Sequence, residues 1–191
     1  ASREGALRYD SKKRPFTITR AGYAGVQRLA LVWTGDNSST WDNLAESIPM
    51  LLNLSLSGVA HCGADVGGFL ENCSGELLAR WTQAASLTPF FRNHTNTGCW
   101  PQEPWAFGEE IEAVCRGAIQ LRYQFIPYLY SLFAQAARDG TPIMRPLFWH
   151  YQNDPQCAAV QDQYLLGESL LVAPVVQAGA RARRSEEHTS E

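Results

Sequence analysis

Four short runs rich in apolar or β-branched residues recur through the first 95 residues, and each is closed by charged or polar side chains. RPFTITR (14–20) alternates and ends on Arg20. LALVWTG (29–35) is almost continuously apolar and leads into Asp36. LSGVAHCGADVGGF (56–69) carries Asp65 inside a glycine-rich loop, and LTPFFRNHT (87–95) delivers Arg92 and His94. Between the second and third runs, Trp41, Leu44, Ile48, Leu51 and Leu52 recur at helical spacing behind Thr40, an N-cap residue. Between the third and fourth, Ser74 can cap a helix whose apolar stripe is Leu77, Leu78, Trp81 and Ala85. Strands alternating with amphipathic helices predict βα units around a parallel sheet, and the 29–35 run predicts a strand buried on both faces. In a (β/α)8 barrel the loops at the carboxyl ends of the strands build the active site. Arg20, Asp36, Asp65, Arg92 and His94 are therefore expected at one mouth.

Past residue 95 the period becomes helical. Ile111, Val114, Ala118, Leu121, Phe125, Leu129, Leu132, Phe133 and Ala136 form a stripe over 109–138. Pro127 should kink or split that helix, and Gly140 should end it. YLLGESLLVAPVV (164–176) reads as short β-runs broken by a glycine. A domain change is expected near residue 146, with 1–146 belonging to the barrel and 147–183 opening a β-rich module. The last residues, RSEEHTSE (184–191), fit nothing before them. They match the translation of a common sequencing adapter and are excluded from fold reasoning.

The remaining bulk properties narrow the function. With 45% hydrophobic residues the chain can fill a core, and a net charge of −3 argues against a nucleic-acid footprint or an anionic membrane surface. No apolar stretch approaches the ~20 residues of a membrane span. Five scattered cysteines and four histidines show no metal-ligand spacing, so neither metal nor cofactor is expected, and each cysteine reads as a small buried hydrophobe. The N-terminal ASREGALRYDSKKRP lacks both a starting Met and the apolar core of a signal peptide. That N-terminus says little about the compartment. The scattered, unpaired cysteines lean the expectation toward a cytoplasmic protein. Asn37, Asn53, Asn72 and Asn93 each begin an N-x-S/T pattern, several of them inside the expected pocket or helices, where a glycan does not fit.

Asp36 has two readings, a reagent or a helix cap, since an Asp after a strand often serves only as a turn former. Thr40 is the better cap, which frees Asp36 for chemistry. Trp33 offers an apolar wall, and desolvation beside an aromatic raises a carboxyl pKa toward the range of a general acid. Phe69 can do the same near Asp65, while Arg20, Arg92 and His94 supply donors. Carboxylates, guanidinium groups and aromatic faces without a metal or phosphate loop suggest a sugar pocket.

The blocks TRAGYAG (19–25), WTGDNSSTW (33–41), GADVGGF (63–69), FFRNH (90–94) and MRPLF (144–148), then DQYLLGESLLVAPV (162–175), occur in one order. Through them the sequence resembles the α-glucosidases of glycoside hydrolase family 31. The resemblance implies an α/β fold: the C-terminal half of a (β/α)8 TIM barrel, strands five to eight, and the start of a β-sandwich. It implies that Asp36 is the general acid/base and that Arg20, Asp65 and His94 hold the sugar. Trp33, Phe69 and Arg92 would line or brace the pocket. The implied reaction is retaining hydrolysis of a small α-glucoside or oligosaccharide. The family's nucleophile is an Asp in a W-x-D-M-N-E type stretch, which this sequence does not contain. Other family activities, on α-xylosides or as transglycosylases, and a catalytically dead sugar-binding relative are the alternatives.

Overall fold

A computed structural model describes residues 1–185 of the chain; residues 186–191, most of the adapter-like tail, lie outside the described residues. A first helix, α1 (Ser2–Tyr9), buries none of its side chains. The sequence carries no apolar stripe there to announce it. The segment from Arg14 forms β1 (Ile18–Thr19), and a 3-10 turn at Val26–Arg28 leads to β2 (Leu31–Trp33). Then follow α2 (Trp41–Leu56), β3 (Cys62–Gly63), β4 (Asp65–Val66), α3 (Gly75–Ala85) and β5 (Arg92–Asn93). β1, β2 and β3 pair in parallel, with Thr19 opposite Val32 and Trp33 opposite Gly63. Only Ala64 separates β3 from β4, which pairs in parallel with β5. The expected βα rhythm is present, with strands shorter than the runs that announced them.

α2 and α3 start where side-chain chemistry dictates. Thr40 accepts a bond from the Asn43 amide at 3.2 Å, and Ser74 accepts one from Leu77 at 3.3 Å. Each cap contributes about 1 kcal/mol by satisfying an otherwise orphaned N–H. Leu44, Ile48, Leu51 and Leu52 of α2 are buried, as are Leu77, Leu78, Trp81 and Ala85 of α3. β2 corrects an expectation. Leu31 is buried, but Val32 and Trp33 are only half-buried although β1 and β3 flank the strand, since hydrogen-bonded neighbours cover its edges and not its faces.

The long α4 (Glu109–Asp139) runs through Pro127 as one helix, so of the kink or split expected there the split does not occur. Buried Cys115 and Ala118 on one side and Leu129 and Leu132 on the other fasten it across the missing amide. Tyr128 donates its hydroxyl proton to the Leu166 carbonyl at 2.7 Å, close to the proline. Leu121, expected in the apolar stripe, is 38% exposed. Gly140 ends the helix in the left-handed region at φ 77°, as its position suggested. After it come β6 (Met144–Arg145), α5 (Pro155–Ala159), β7 (Tyr164–Leu166) and β8 (Leu170–Val172). β6, on the barrel side of the boundary read near residue 146, pairs antiparallel with β7, and β7 with β8. None of the helices among the described residues is long and apolar enough to cross a membrane.

One core joins Ile48, Leu51 and Leu52 of α2 to Leu129 and Leu132 of α4 and to Met144, Tyr164 and Leu166 of the antiparallel sheet. A second gathers Leu44, Val66, Leu77, Leu78, Trp81 and Cys115. Four cysteines are buried and Cys99 is half-buried, as small apolar side chains would be.

His61 precedes β3, edge-on to Phe133 with ring centres 4.7 Å apart. Burial, helped by the positive Arg122, pushes its pKa down to about 4. As pH falls below the ordinary value near 6.5 the unfolded chain takes up this proton first, so stability present above 6.5 is lost on the way down to 4. Urea unfolding should show a loss of roughly 2 kcal/mol over that window, discounted for the ring's partial solvation. His61→Gln should flatten this part of the profile; an unchanged slope would sink the assignment.

Candidate active site

The polar residues after the parallel strands converge. Arg20 directly follows β1, Asp36 lies three residues past β2, Asp65 opens β4 and Arg92 opens β5. Asp65 and Arg92 are register partners in the parallel ladder, which sets their side chains on the same side of the sheet. Arg92 Nε donates to Asp65 Oδ1 at 3.0 Å, and its Nη2 donates to the same oxygen. The Asp65 side chain is 0% exposed, and its Oδ2 has no hydrogen-bond partner among the described residues. Burial pushes the Asp65 pKa up, against the pull of Arg92 and His94 and with added repulsion from Asp36. Burial wins because one oxygen is left uncompensated.

Arg20 Nη1 donates to Asp36 Oδ2 at 3.2 Å. Both side chains face solvent, 57% and 37% exposed, so this pair orients Asp36 more than it stabilises the fold. Gly35 stands between them with φ +90°, a backbone state that favours glycine, and a Cβ there would lie 3.5 Å from the Arg20 guanidinium. Trp33 carries the Arg92 guanidinium over its ring at 5.3 Å, and Phe90 takes the same cation at 5.5 Å. His94 is exposed and stacks on Phe69, with centroids 5.1 Å apart and planes inclined by 26°. The seven candidate residues thus form three contact groups, Arg20–Asp36, Asp65–Arg92–Trp33 and Phe69–His94, and the charges of Asp36 and His94 both act on Asp65.

Asn37 was overlooked except as the start of a glycosylation pattern. Its Nδ2 donates to the Asp65 carbonyl at 3.0 Å, and its Oδ1 accepts from the Phe69 amide at 3.1 Å. Its own carbonyl accepts from Phe69 and Leu70 at 2.8 and 2.9 Å. The loop holding Asp36 is thereby sewn to the loop holding Phe69. Its place beside a candidate acid was the one available signal. The amide of Asn93 is likewise occupied, donating to the Gln102 carbonyl at 2.7 Å. A cavity of about 1040 Å³ lies elsewhere, an open groove between α2 and residues 159–184, lined by Trp41, Asp42, Glu46, Asp162 and Arg183 among others. None of the seven candidate residues lines it.

Parallel βα units whose carboxylates and guanidinium groups meet at the strands' carboxyl ends define a segment of a (β/α)8-barrel protein, followed by an antiparallel module. Residues 1–132 match the family described as "Glycosyl hydrolases family 31 TIM-barrel domain" and residues 140–186 "Glycosyl hydrolase family 31 C-terminal domain". The chain belongs to glycoside hydrolase family 31. It is 52% identical over 176 residues to "Alpha-glucosidase 2" of Bacillus thermoamyloliquefaciens, covering 92% of this chain and 22% of that protein. With "Neutral alpha-glucosidase AB" of Homo sapiens it shares 48% over 168 residues, 88% of this chain and 18% of the relative. Among solved structures, a glucosidase II alpha subunit in a Glc1Man2-bound form superposes with a TM-score of 0.85 at 40% identity, over 87% of this chain and 18% of that one. A Flavobacterium johnsoniae dextranase complexed with glucose gives 0.87 at 36%, over 93% and 23%. An alpha-xylosidase from a soil metagenome, complexed with xylose, gives 0.85 at 31%, over 93% and 30%. The chain spans about a fifth of the length of the curated relatives it matches.

Proposed function

We propose that this chain is the acid/base-bearing segment of a retaining α-glucosidase that removes terminal glucose from α-glucosides or oligosaccharides. The observation that carries the reading is the pairing of two unlike carboxylates at one mouth: solvent-facing Asp36 held by Arg20, and fully buried Asp65 with one oxygen unengaged. Asp36, reachable from solvent, donates its proton to the leaving glycosidic oxygen. It then takes a proton from the water that attacks the glycosyl intermediate. His94 exchanges hydrogen bonds with sugar hydroxyls, and Asp65 holds the sugar through the unengaged Oδ2 once the bound ring displaces the side chains now covering it. Arg20 keeps Asp36 aimed, and Phe69 offers a face to the apolar side of the ring. Trp33 and Arg92 brace the floor. The nucleophile comes from a residue outside this sequence, held about 5 Å from Asp36 in the manner of retaining pairs.

The test is product analysis with the full-length enzyme. Maltose and an aryl α-glucoside should both be cleaved, α-glucose should appear first by NMR, and the corresponding α-xyloside should be turned over much more slowly. Preference for the xyloside, or β-glucose as first product, would overturn the reading. The 191-residue chain alone, with one of the two reacting carboxylates, should release no detectable aryl alcohol. Turnover by it that Asp36→Ala abolishes would show that the second carboxylate is within this sequence after all.

A further inference from the structure

Gln102 lies in the loop between β5 and α4, eight residues past His94, and is 3% exposed. Its Nε2 donates to the Val66 carbonyl at 2.8 Å, to the Gly68 carbonyl at 3.3 Å and to Asn93 Oδ1 at 3.0 Å. Asn93 returns a bond from Nδ2 to the Gln102 carbonyl at 2.7 Å. Val66–Gly68 runs directly into Phe69, and Asn93 directly precedes His94. One carboxamide therefore ties the backbone ahead of Phe69 to the side chain of Asn93, the residue ahead of His94. The glycine of the loop is shaped to admit it: Gly67 has φ +87°, and a Cβ there would lie 2.7 Å from Gln102 Cδ. Around the stack, the Asn96 amide and Thr95 Oγ1 close on the Phe69 carbonyl at 2.9 and 3.4 Å.

We propose that Gln102 is a positioning residue that sets the spacing of Phe69 and His94, and so the fit of the glucose ring. The proposal rests on the sugar site described above. It acts through geometry: two rings on separate loops present a fixed face only if the loops cannot shift, and a misplacement of about 1 Å at a binding surface can cost on the order of 100-fold in rate. The chemistry demands an amide. A glutamate of the same size would turn an acceptor toward three acceptors; protonated, it would recover one donor.

The experiment measures the inhibition constant of glucose, an uncharged ligand, and kcat/KM in the full-length enzyme. Each variant is compared with the unmodified enzyme at the same pH. Gln102→Glu should bind glucose about tenfold or more weakly near pH 7.5, with the deficit shrinking to about threefold near pH 4.5 as the carboxyl takes its proton. Gln102→Asn keeps the amide but falls one methylene short, so it should be weakened equally at both pH values. This second variant also reads the clasp if the glutamate form does not fold. Wild-type affinity in either variant, or a Gln102→Glu deficit that does not move with pH, would overturn the role. Asp36→Asn measured alongside separates the two ideas. Turnover retained there removes the α-glucosidase reading, whereas turnover lost there with intact glucose binding in the Gln102 variants removes only the clasp.

Discussion

Replacing Asp36 with asparagine in the full-length enzyme lowers maltose hydrolysis by about 10²–10⁴-fold, the usual worth of a positioned proton donor. The substitution is nearly isosteric, and the amide oxygen can still accept the Arg20 bond now made at 3.2 Å, so the loss reports the proton and not the packing. Two further signs belong to an acid/base and to no binding residue. α-Glucosyl fluoride, whose leaving group needs no proton, should suffer far less in its first step than maltose. Azide, which attacks without a general base, should restore turnover and leave α-glucosyl azide as product. Maltose hydrolysis within a few-fold of wild type would remove Asp36 from the reaction.

Arg92→Met should be the most damaging single change to stability, about 3–5 kcal/mol by urea unfolding, because it strands a fully buried carboxylate. The lost contacts of the guanidinium with Trp33 and Phe90 add to this. The companion double variant, Arg92→Met with Asp65→Asn, should recover part of the loss, since a neutral amide tolerates burial better than an orphaned charge. The pH dependence has a definite sign. Burial already holds the Asp65 pKa above the ordinary value near 4, so its contribution is full below that value and declines as pH rises through the folded-state pKa. Removing Arg92 takes away a force that lowers the pKa and so steepens that decline. The deficit of Arg92→Met should therefore be largest at neutral pH and smallest near pH 4. A deficit independent of pH, or under about 1 kcal/mol, would mean that Asp65 is neutral or resolvated in the folded chain.

What could be read in advance was what local chemistry and period control. Thr40 and Ser74 were legible as caps because an N-cap needs only its own helix. The meeting of Arg20, Asp36, Asp65, Arg92 and His94 was legible because parallel βα units point every strand end the same way. The unbroken path of α4 through Pro127 was not, since distant packing overrides the local rule. The Arg92 cation over the Trp33 ring was not legible either, being a pairing between side chains about sixty positions apart. Asn37 and Gln102 were missed for a related reason. Their partners are chiefly backbone carbonyls and amides on other loops, and no side-chain pattern marks those.

α4 has a mechanical meaning that its residue count alone does not convey. At 31 residues it is about 46 Å long, with Cys115 embedded beside α3 at one end and Leu129 and Leu132 embedded beside the antiparallel sheet at the other. It is a girder common to two rooms. A sheet packed against such a beam shares its core with the barrel helices, so loosening either unit strips apolar cover from the other. The family's boundary, drawn between residues 132 and 140, is thus a seam in ancestry and not in the material.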